Sequence, residues 1–509
     1  MRHHYPARRP ALLAVALVAV AFIGLGNVGT ADAQDMRDII HSETLDNGLE
    51  VIVVPDSSLP IVTIELTVRH GAFAEDEEFD GLAHLYEHMF FKGNEEIPNQ
   101  EEYMERIREL GMVFNGTTST ERVNYFFTLP SDNLIEGLEF MYHATVSPLF
   151  DEEEFEREKE VVFGEADRAQ SSPQYWLREA IRERLWYEHP TRKHPLGQMD
   201  VIADATVEQM QHIQDVYYVP NNSVLLVAGD VEPDAAVAYV DRQFGGWERG
   251  DDPFEVEPVP EHPPLPETTV VLVEETVQVP VFQLAWQGPS VADDPAATHA
   301  ADVLLFILRQ PSSAFQQNLV ESRIALSANK SYFTQRFRGP SSVSAQVQPD
   351  KIREAIRATL LEVEKLSDPD YYTDEQLEAA KTMLAVNDIY SREKTSSFAH
   401  TLTFWWATAG LDYYLDYIPS LQAVTRDDIA RYVDQYIIDE PFVLGLLLSP
   451  EQREELDLSE EELAEIVDEV RREIEANRQA EEEEQADEQA NISEPSYEPA
   501  RTQAAQGGQ

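Results

Sequence analysis

The sequence predicts an α+β fold made of two duplicated α/β domains in one chain of 509 residues. Three observations support this prediction. The chain is longer than one ordinary hydrophobic core allows, and 43% of its residues are hydrophobic, enough for compact cores. Strand and helix patterns run in one order up to about residue 247 and restart in the same order at residue 269. Residues 248–268 between them are rich in Pro and acidic residues, which is typical of a linker.

The first 33 residues are typical of an export signal. Basic residues come first, residues 11–26 are apolar, and Ala31-Asp32-Ala33 fits a small-residue cleavage site, so we expect cleavage after Ala33. A retained anchor is the less favoured alternative, because an apolar run of 16 residues is shorter than the ~20 that cross a bilayer. We therefore expect a periplasmic or secreted protein without stable membrane insertion.

The chain holds no cysteine and has a formal net charge of −57. Without cysteine there is no disulfide, no thiolate nucleophile and no Cys-ligated zinc, so a metal site must use His and carboxylates. Removal of residues 1–33 takes away three Arg and one Asp and leaves a net charge of −59. Such a surface excludes nucleic acid and anionic lipid as partners. It favours solubility, or attraction of basic peptides as the alternative.

The first domain is placed at residues 34–247. Runs of β-branched residues predict its strands, and apolar residues at helical spacing predict its helices. Gly111 is expected to end the second helix. We expect strands near 45–56, 60–70, 112–118, 122–130 and 223–230, and helices near 81–92, 99–110, 131–146, 151–165, 173–187, 206–217 and up to 244.

The second domain is placed at residues 269–449, and the same patterns predict its elements. Residues 450–509 follow as an acidic segment, with a polar helix over 450–480 and a disordered tail over 481–509. We expect strands near 269–275, 280–287 and 441–448, and helices near 296–309, 350–366, 373–392 and 425–437.

The strongest chemical signal is the pentapeptide His84-Leu-Tyr-Glu-His88. Residues four apart on a helix share a face, with Cβ atoms about 5–6 Å apart, so both imidazoles can reach one Zn²⁺. Glu87 leaves from a neighbouring edge, where its carboxylate can hold and deprotonate a water molecule at the metal. This order, H-x-x-E-H, reverses the H-E-x-x-H signature of zinc proteases. A plain pair of hydrogen-bonded histidines is the alternative.

The corresponding place in the second domain lacks this pattern. It reads Thr298-His-Ala-Ala-Asp-Val303, so we expect a single metal site to serve both halves.

The acidic run at residues 151–165 predicts a helix whose acidic start suits the helix dipole, and its plain interpretation is a solvated face. Residues 161–163 make its far end apolar, so we expect Glu165 to lie where the helix enters the core. Glu158, two turns earlier, lies on the same face. A partly buried carboxylate requires a partner, and a metal would serve.

With these residues together, the chain resembles the pitrilysin/insulysin family, or inverzincins, and in particular its half-length, processing-peptidase-like bacterial branch. The resemblance covers roughly residues 45–448. Glu165 follows His88 by 77 residues, which is the family's spacing for the third ligand. The stretch Phe114–Ser119 with Tyr125 resembles the family's substrate-edge strand. Later landmarks of the family are matched by His194–Gly197, Tyr217–Asn222 and Val227–Asp230.

The resemblance implies a zinc endopeptidase that hydrolyses peptides or unfolded polypeptide segments and binds one Zn²⁺ per chain. It implies that His84, His88 and Glu165 are the metal ligands and that Glu87 is the general base. Glu158 is implied as an auxiliary catalytic carboxylate that orients a ligand or the substrate amine, with an ordinary surface glutamate as the alternative.

The resemblance also implies a substrate-binding strand. Phe114, Asn115 and Thr117 would bind an extended peptide that pairs with this strand, with a turn or cap role as the alternative for Asn115.

One departure from the family concerns the second domain. Many members carry an Arg and a Tyr there that reach the substrate, whereas this chain has Val320 and Ser327 at those places. Arg323 is a possible substitute that no spacing supports. Either a partner chain supplies these groups, or support for the oxyanion is weaker.

The resemblance further implies that each domain is a mixed, mainly antiparallel sheet with helices packed on it, and that the two domains form half of a clamshell. A homodimer or a heterodimer with a related chain would complete the clamshell.

Two other function classes compete with the peptidase. A non-catalytic assembly or binding subunit of the same fold has no reason to retain His84, Glu87, His88 and Glu165 together. A metal-storage or sensor protein would need the ligands but not Glu87.

Overall fold

The computed structural model describes residues 36–493, and its first six strands form one sheet. These strands are β1 His41–Thr44, β2 Glu50–Pro55, β3 Ile61–Val68, β4 Val113–Thr118, β5 Val123–Pro130 and β6 Ser223–Gly229. Their order across the sheet is β1-β2-β6-β3-β5-β4. Strands β2 and β6 run parallel, and every other neighbouring pair is antiparallel. Strand β4 therefore lies at an edge.

The remaining five strands form a second sheet that repeats this plan. They are β7 Thr269–Glu274, β8 Val281–Gln287, β9 Ser327–Tyr332, β10 Pro340–Gln346 and β11 Val443–Leu448. Their order is β7-β11-β8-β10-β9, with β7 and β11 parallel and the other pairs antiparallel. Strand for strand this matches β2-β6-β3-β5-β4. The predicted duplication and the mixed, mainly antiparallel sheets are confirmed.

Strand β6 is the central element of the first sheet. All seven of its residues are buried, and it separates β2 from β3, so these two consecutive strands do not pair with each other. An apolar strand suits this place, because both faces of the sheet are covered here.

Helices cover the first sheet and carry the motif. Those in the first half of the chain are α1 Met36–Ile39, α2 Leu82–Phe90, α3 Gln100–Glu109, α4 Leu134–Val146, α5 Glu152–Gln170, α6 Pro173–Leu185, α7 Met199–Asp204, α8 Val207–Tyr217, α9 Pro233–Phe244 and α10 Pro253–Val256. Gly111 follows α3 with a φ of 65°, as predicted for the residue that ends that helix.

Helices of the second half pack on the second sheet and continue past it. They are α11 Pro295–Leu308, α12 Ala314–Gln316, α13 Ile352–Glu364, α14 Asp374–Ser391, α15 Thr395–Thr408, α16 Leu411–Leu415, α17 Tyr417–Ala423, α18 Arg426–Tyr436, α19 Pro450–Leu456 and α20 Glu460–Ser493. Helix α20 extends past residue 481, where the sequence predicts a disordered tail.

Each half of the chain contributes a helix that packs against the sheet of the other half. In α15, a helix that was not predicted from the sequence, Phe398, Leu402 and Trp406 pack against buried residues of β2 and β6 in the first sheet. In return, Leu177 and Ile181 of α6 pack against the second sheet. Each sheet is thereby covered partly by a helix from the other half of the chain, and these contacts tie the halves together.

The predicted signal peptide at residues 1–33 lies outside the described residues. Within residues 36–493, none of the helices combines the length and the apolar composition that a membrane crossing requires.

Candidate metal centre

Helix α2 carries the H-x-x-E-H motif, and a buried carboxylate fixes its start. Gly81 precedes the helix with a φ of 89°, and its Cα lies against Gly197, which leaves no room for a side chain. Glu75 accepts hydrogen bonds from the backbone N–H groups of Gly81 and Ala83 at 3.0 and 2.6 Å. These bonds satisfy donors that the first turn of a helix leaves open. Complete burial raises the pKa of Glu75 to about 8.

Three side chains converge beside α2, and one potential ligand atom from each lies within 4.8 Å of the others. His84 Nε2 lies 3.3 Å from His88 Nε2 and 3.4 Å from Glu165 Oε2. His88 Nε2 lies 3.7 Å from Glu165 Oε2. Bonds of about 2.0–2.1 Å in a tetrahedral zinc site place neighbouring ligand atoms about 3.3–3.4 Å apart. The spacing of the three atoms therefore fits a zinc ion between them.

Burial lowers the pKa of His84 to about 4, with the neighbouring His88 as a smaller cause. A neutral imidazole is the form that binds a metal, so no proton has to be removed from His84 near pH 7. The Nδ1 atom of His84 is buried without a hydrogen-bond partner in the described part of the chain.

Helix α5 supplies two carboxylates that differ in burial. Glu165 was expected as a partly buried carboxylate where the helix enters the core, and 39% of its side chain is exposed. Glu158 is the buried one, with 8% of its side chain exposed. Both carboxylates line the cavity beside α2, but Glu158 is also covered by its contacts with His88 and Lys92.

Glu158 contacts a candidate ligand rather than the candidate metal position. Its Oε2 lies 3.0 Å from Nδ1 of His88, and its Oε1 lies 2.6 Å from Nζ of Lys92. Burial acts to raise the pKa of Glu158, but the bonds from His88 and Lys92 outweigh it and hold this pKa below its usual value. An acceptor at Nδ1 leaves Nε2 of His88 free for a metal.

Glu87 lies apart from the three converging atoms and against β4. Its Oε2 accepts a 2.7 Å hydrogen bond from the hydroxyl of Thr118. A Cβ added to Gly116 would lie 2.8 Å from Cγ and Oε1 of Glu87, so glycine gives the carboxylate its room. Burial raises the pKa of Glu87, and the bond from Thr118 opposes this rise.

A cavity of about 530 Å³ opens beside these groups, and β4 forms one wall. Phe114, Asn115 and Thr117 line it, and Phe114 packs against Phe91 at a ring separation of 5.1 Å. Strand β4 pairs only with β5, and no strand of residues 36–493 lies on its other side. An extended peptide could pair with this open edge.

Two residues at this site were not predicted from the sequence. Lys92 lies four residues after His88, and residues at this spacing in a helix share a face. Thr118 was passed over for Thr117, although only Thr118 bonds to Glu87.

The residues at the family's Arg and Tyr places lie elsewhere. Val320 packs against the hydrophobic core of the second half of the chain, Ser327 begins β9, and Arg323 has a φ of 66°. Every described residue that lines the cavity belongs to the first half of the chain.

The corresponding place in the second domain is occupied by tyrosines. The hydroxyl of Thr298 lies 2.7 Å from that of Tyr413, and Tyr417 donates a 2.6 Å bond to Asp302. Among the described residues, the group around His84 is the one cluster that offers three such ligands.

Two family models match the chain. Insulinase (Peptidase family M16) matches residues 50–198, and Peptidase M16 inactive domain matches residues 204–384. The chain is 24% identical over 445 residues to zinc protease PqqE of Helicobacter pylori, covering 86% of this chain and 97% of that protein. It is also 24% identical over 428 residues to the uncharacterized zinc protease YmfH of Bacillus subtilis, covering 79% and 95%.

Solved structures share the fold. A protease from Helicobacter pylori superposes with a TM-score of 0.70 at 24% identity, covering 80% of this chain and 99% of that one. The first half of the periplasmic protease PqqL from Escherichia coli gives a TM-score of 0.70 at 18% identity, covering 85% and 97%. The match to PqqL itself covers only 50% of that chain. The chain therefore belongs to the insulinase family of peptidases, M16, as one of its half-length members.

Proposed function

We propose that this chain is a zinc-dependent endopeptidase that hydrolyses peptides or unfolded polypeptide segments. One observation carries the proposal: potential ligand atoms of His84, His88 and Glu165 converge within 4.8 Å beside the open edge of β4. The relatives described as zinc proteases support the same metal and the same reaction class.

His84, His88 and Glu165 would hold the zinc ion through Nε2, Nε2 and Oε2. When bound, zinc supplies a Lewis acid that polarises the substrate carbonyl and lowers the pKa of a water molecule to about 7. Two neutral imidazoles and one carboxylate leave one position of a four-coordinate site open, which is typical of catalytic rather than structural zinc.

Glu87 would act as the general base. Thr118 holds its Oε2, and the other carboxylate oxygen takes the proton of the attacking water as the water oxygen bonds to the peptide carbonyl carbon. Glu87 then delivers this proton to the amide nitrogen as the C–N bond breaks, so that the products are a carboxylic acid and an amine.

Strand β4 would hold the substrate. Backbone pairing along its open edge fixes an extended peptide without regard to its sequence, and Phe114, Asn115 and Thr117 contact it from the cavity wall. A folded protein does not present such an extended segment, so peptides and unfolded segments are the expected substrates.

A second chain would complete the enzyme. The chain matches the first half of PqqL, and the other half of that protein lies outside the match. We propose that a second copy or a related chain takes that place, and that it supplies the groups missing at Val320 and Ser327. We also propose export to the periplasm or beyond, on the basis of residues 1–33 and the periplasmic relative.

The test is metal-dependent cleavage by the chain that begins at Gln34. We expect about one zinc per chain, cleavage of an unstructured peptide, loss of cleavage with a chelator and recovery with zinc. His88→Ala should abolish zinc binding and cleavage, whereas His143→Ala on α4 should retain both. Wild-type protein that binds no zinc would contradict the proposal.

A further inference from the structure

Lys92, Glu158 and His88 form a hydrogen-bonded chain that ends at the candidate metal position. Lys92 Nζ lies 2.6 Å from Glu158 Oε1, and Glu158 Oε2 lies 3.0 Å from His88 Nδ1. The other ring nitrogen of His88 is the one that faces His84 and Glu165. A single carboxylate thus connects the ammonium group with the imidazole, one through each oxygen.

The three residues also join two helices. Lys92 lies just beyond the end of α2, where its backbone N–H bonds to the carbonyl of Met89, and Glu158 lies in α5. Glu165 is two turns further along α5, so the Lys92–Glu158 pair sets the distance between the helix with two candidate ligands and the helix with the third. Both paired side chains are shielded, with 16% of Lys92 and 8% of Glu158 exposed.

A buried carboxylate is stable only with partners for its oxygens. Lys92 is the one partner of Oε1 of Glu158 among the described contacts, and His88 is the partner of Oε2. Without the ammonium group, Glu158 would satisfy Oε1 by turning toward water, and Oε2 would leave His88. The imidazole would then lose the acceptor that fixes its ring orientation.

We propose that Lys92 is a positioning residue of the metal centre, which acts by holding Glu158 in the orientation that fixes the ring of His88. This inference rests on the proposed function, because it assumes that His88 binds zinc. Lys92 does not contact the metal in this proposal. Its pairing with Glu158 explains why a positively charged side chain lies in the cavity wall next to the candidate ligands of a metal cation.

The chain offers a matched control in Lys159. This lysine follows Glu158 in α5 and is similarly shielded, but its Nζ bonds to Glu156 and to the carbonyl of Ala203, away from His88. Its replacement removes the same charge from a residue adjacent to Glu158 without touching the chain of bonds.

The experiment measures the zinc dissociation constant by competition with a chelator, at one pH, for the wild type and five variants. These are Lys92→Met, Lys92→Arg, Lys159→Met, Glu158→Gln and the double variant of Lys92→Met with Glu158→Gln. Loss of a partner behind a zinc ligand weakens zinc binding about 10–100-fold, which we expect for Lys92→Met. We expect Lys92→Arg and Lys159→Met to stay within about 3-fold of the wild type.

The double variant separates a positioning role from a merely structural one. If Lys92 acts through Glu158, Lys92→Met changes the dissociation constant less than about 2-fold in the Glu158→Gln background. An equal loss in both backgrounds overturns the proposal, as does Lys92→Met that folds and binds zinc like the wild type.

Circular dichroism checks folding, and Lys92→Gln replaces Lys92→Met if the latter does not fold. Wild-type protein without zinc overturns the proposed function as well, whereas zinc in the wild type and unaltered binding by the Lys92 variants overturns this inference alone.

Discussion

The hydroxyl of Thr118 donates a 2.7 Å hydrogen bond to Oε2 of Glu87 and thereby joins the edge strand β4 to the motif helix α2. The strand proposed to hold the substrate and the carboxylate proposed to move the proton are therefore fixed relative to each other. A substrate that pairs with β4 arrives in a set position with respect to Glu87, and such positioning is a large part of catalysis.

Replacing Thr118 with Val removes this bond with little change in shape. Hydrogen bonds to charged groups contribute about 1.5–3 kcal/mol, so we expect kcat to fall at least about 10-fold while zinc content stays the same. Steady-state cleavage of an unstructured peptide measures the effect. Thr67→Val in β3 is the control, because the buried Thr67 hydroxyl has no partner in the described part of the chain. Wild-type kcat in Thr118→Val would show that the bond has no role.

Replacing Gly116 with Ala adds a Cβ 2.8 Å from Cγ and Oε1 of Glu87. The carboxylate has to move, so we expect kcat/KM to fall at least about 10-fold with zinc retained, since a small misplacement of a reacting group costs up to about 10²-fold. Gly164→Ala in α5 is the matched control, because a Cβ there meets no atom within 4 Å. It should leave cleavage unchanged and raise the free energy of unfolding by about 0.5–1 kcal/mol, measured with urea.

Lys330 in β9 makes stability depend on pH. It is fully buried, and burial lowers its pKa to about 7 from an ordinary 10.5. Between these values the unfolded chain binds the proton and the folded chain does not, so folding is penalised near pH 7 and the penalty shrinks as the pH rises. Lys330→Met removes the penalty. The free energy of unfolding of the variant should exceed that of the wild type most at pH 7 and least at pH 10.

Urea denaturation of both proteins at pH 7, 8, 9 and 10 measures this difference. Because all other groups are shared, the difference isolates Lys330. A difference that grows with pH would contradict the lowered pKa.

Much of the fold could be predicted because the sequence repeats itself. The apolar runs that become β6 and β11 come at the same place in each half, and each of these strands lies between one parallel and one antiparallel neighbour. Helix α15 could not be predicted in the same way. It lies between the halves and is covered on more than one side, so its apolar residues do not follow the single stripe that marks a surface helix.

The candidate site, like the fold, could be predicted only in part. His84 and His88 follow from their spacing on one helix, and Glu165 follows from the family's spacing. That Glu158 is the more buried of the two carboxylates could not be predicted, because the apolar residues near 161–163 show how one helix face is covered but not where a neighbouring helix ends. The hydrogen bond from Thr118 to Glu87 could not be predicted, because it depends on which face of β4 meets α2. It joins two residues that are 31 positions apart in the sequence.

The central claim is that Glu87 moves the proton while His84, His88 and Glu165 hold the metal. Its most direct test measures zinc content and peptide cleavage together for the wild type and Glu87→Gln, with the exposed Glu160→Gln as control. We expect about one zinc per chain in all three, and a loss of cleavage of at least about 10²-fold in Glu87→Gln alone. Equal cleavage by Glu87→Gln and the wild type, with zinc present in both, would contradict the account.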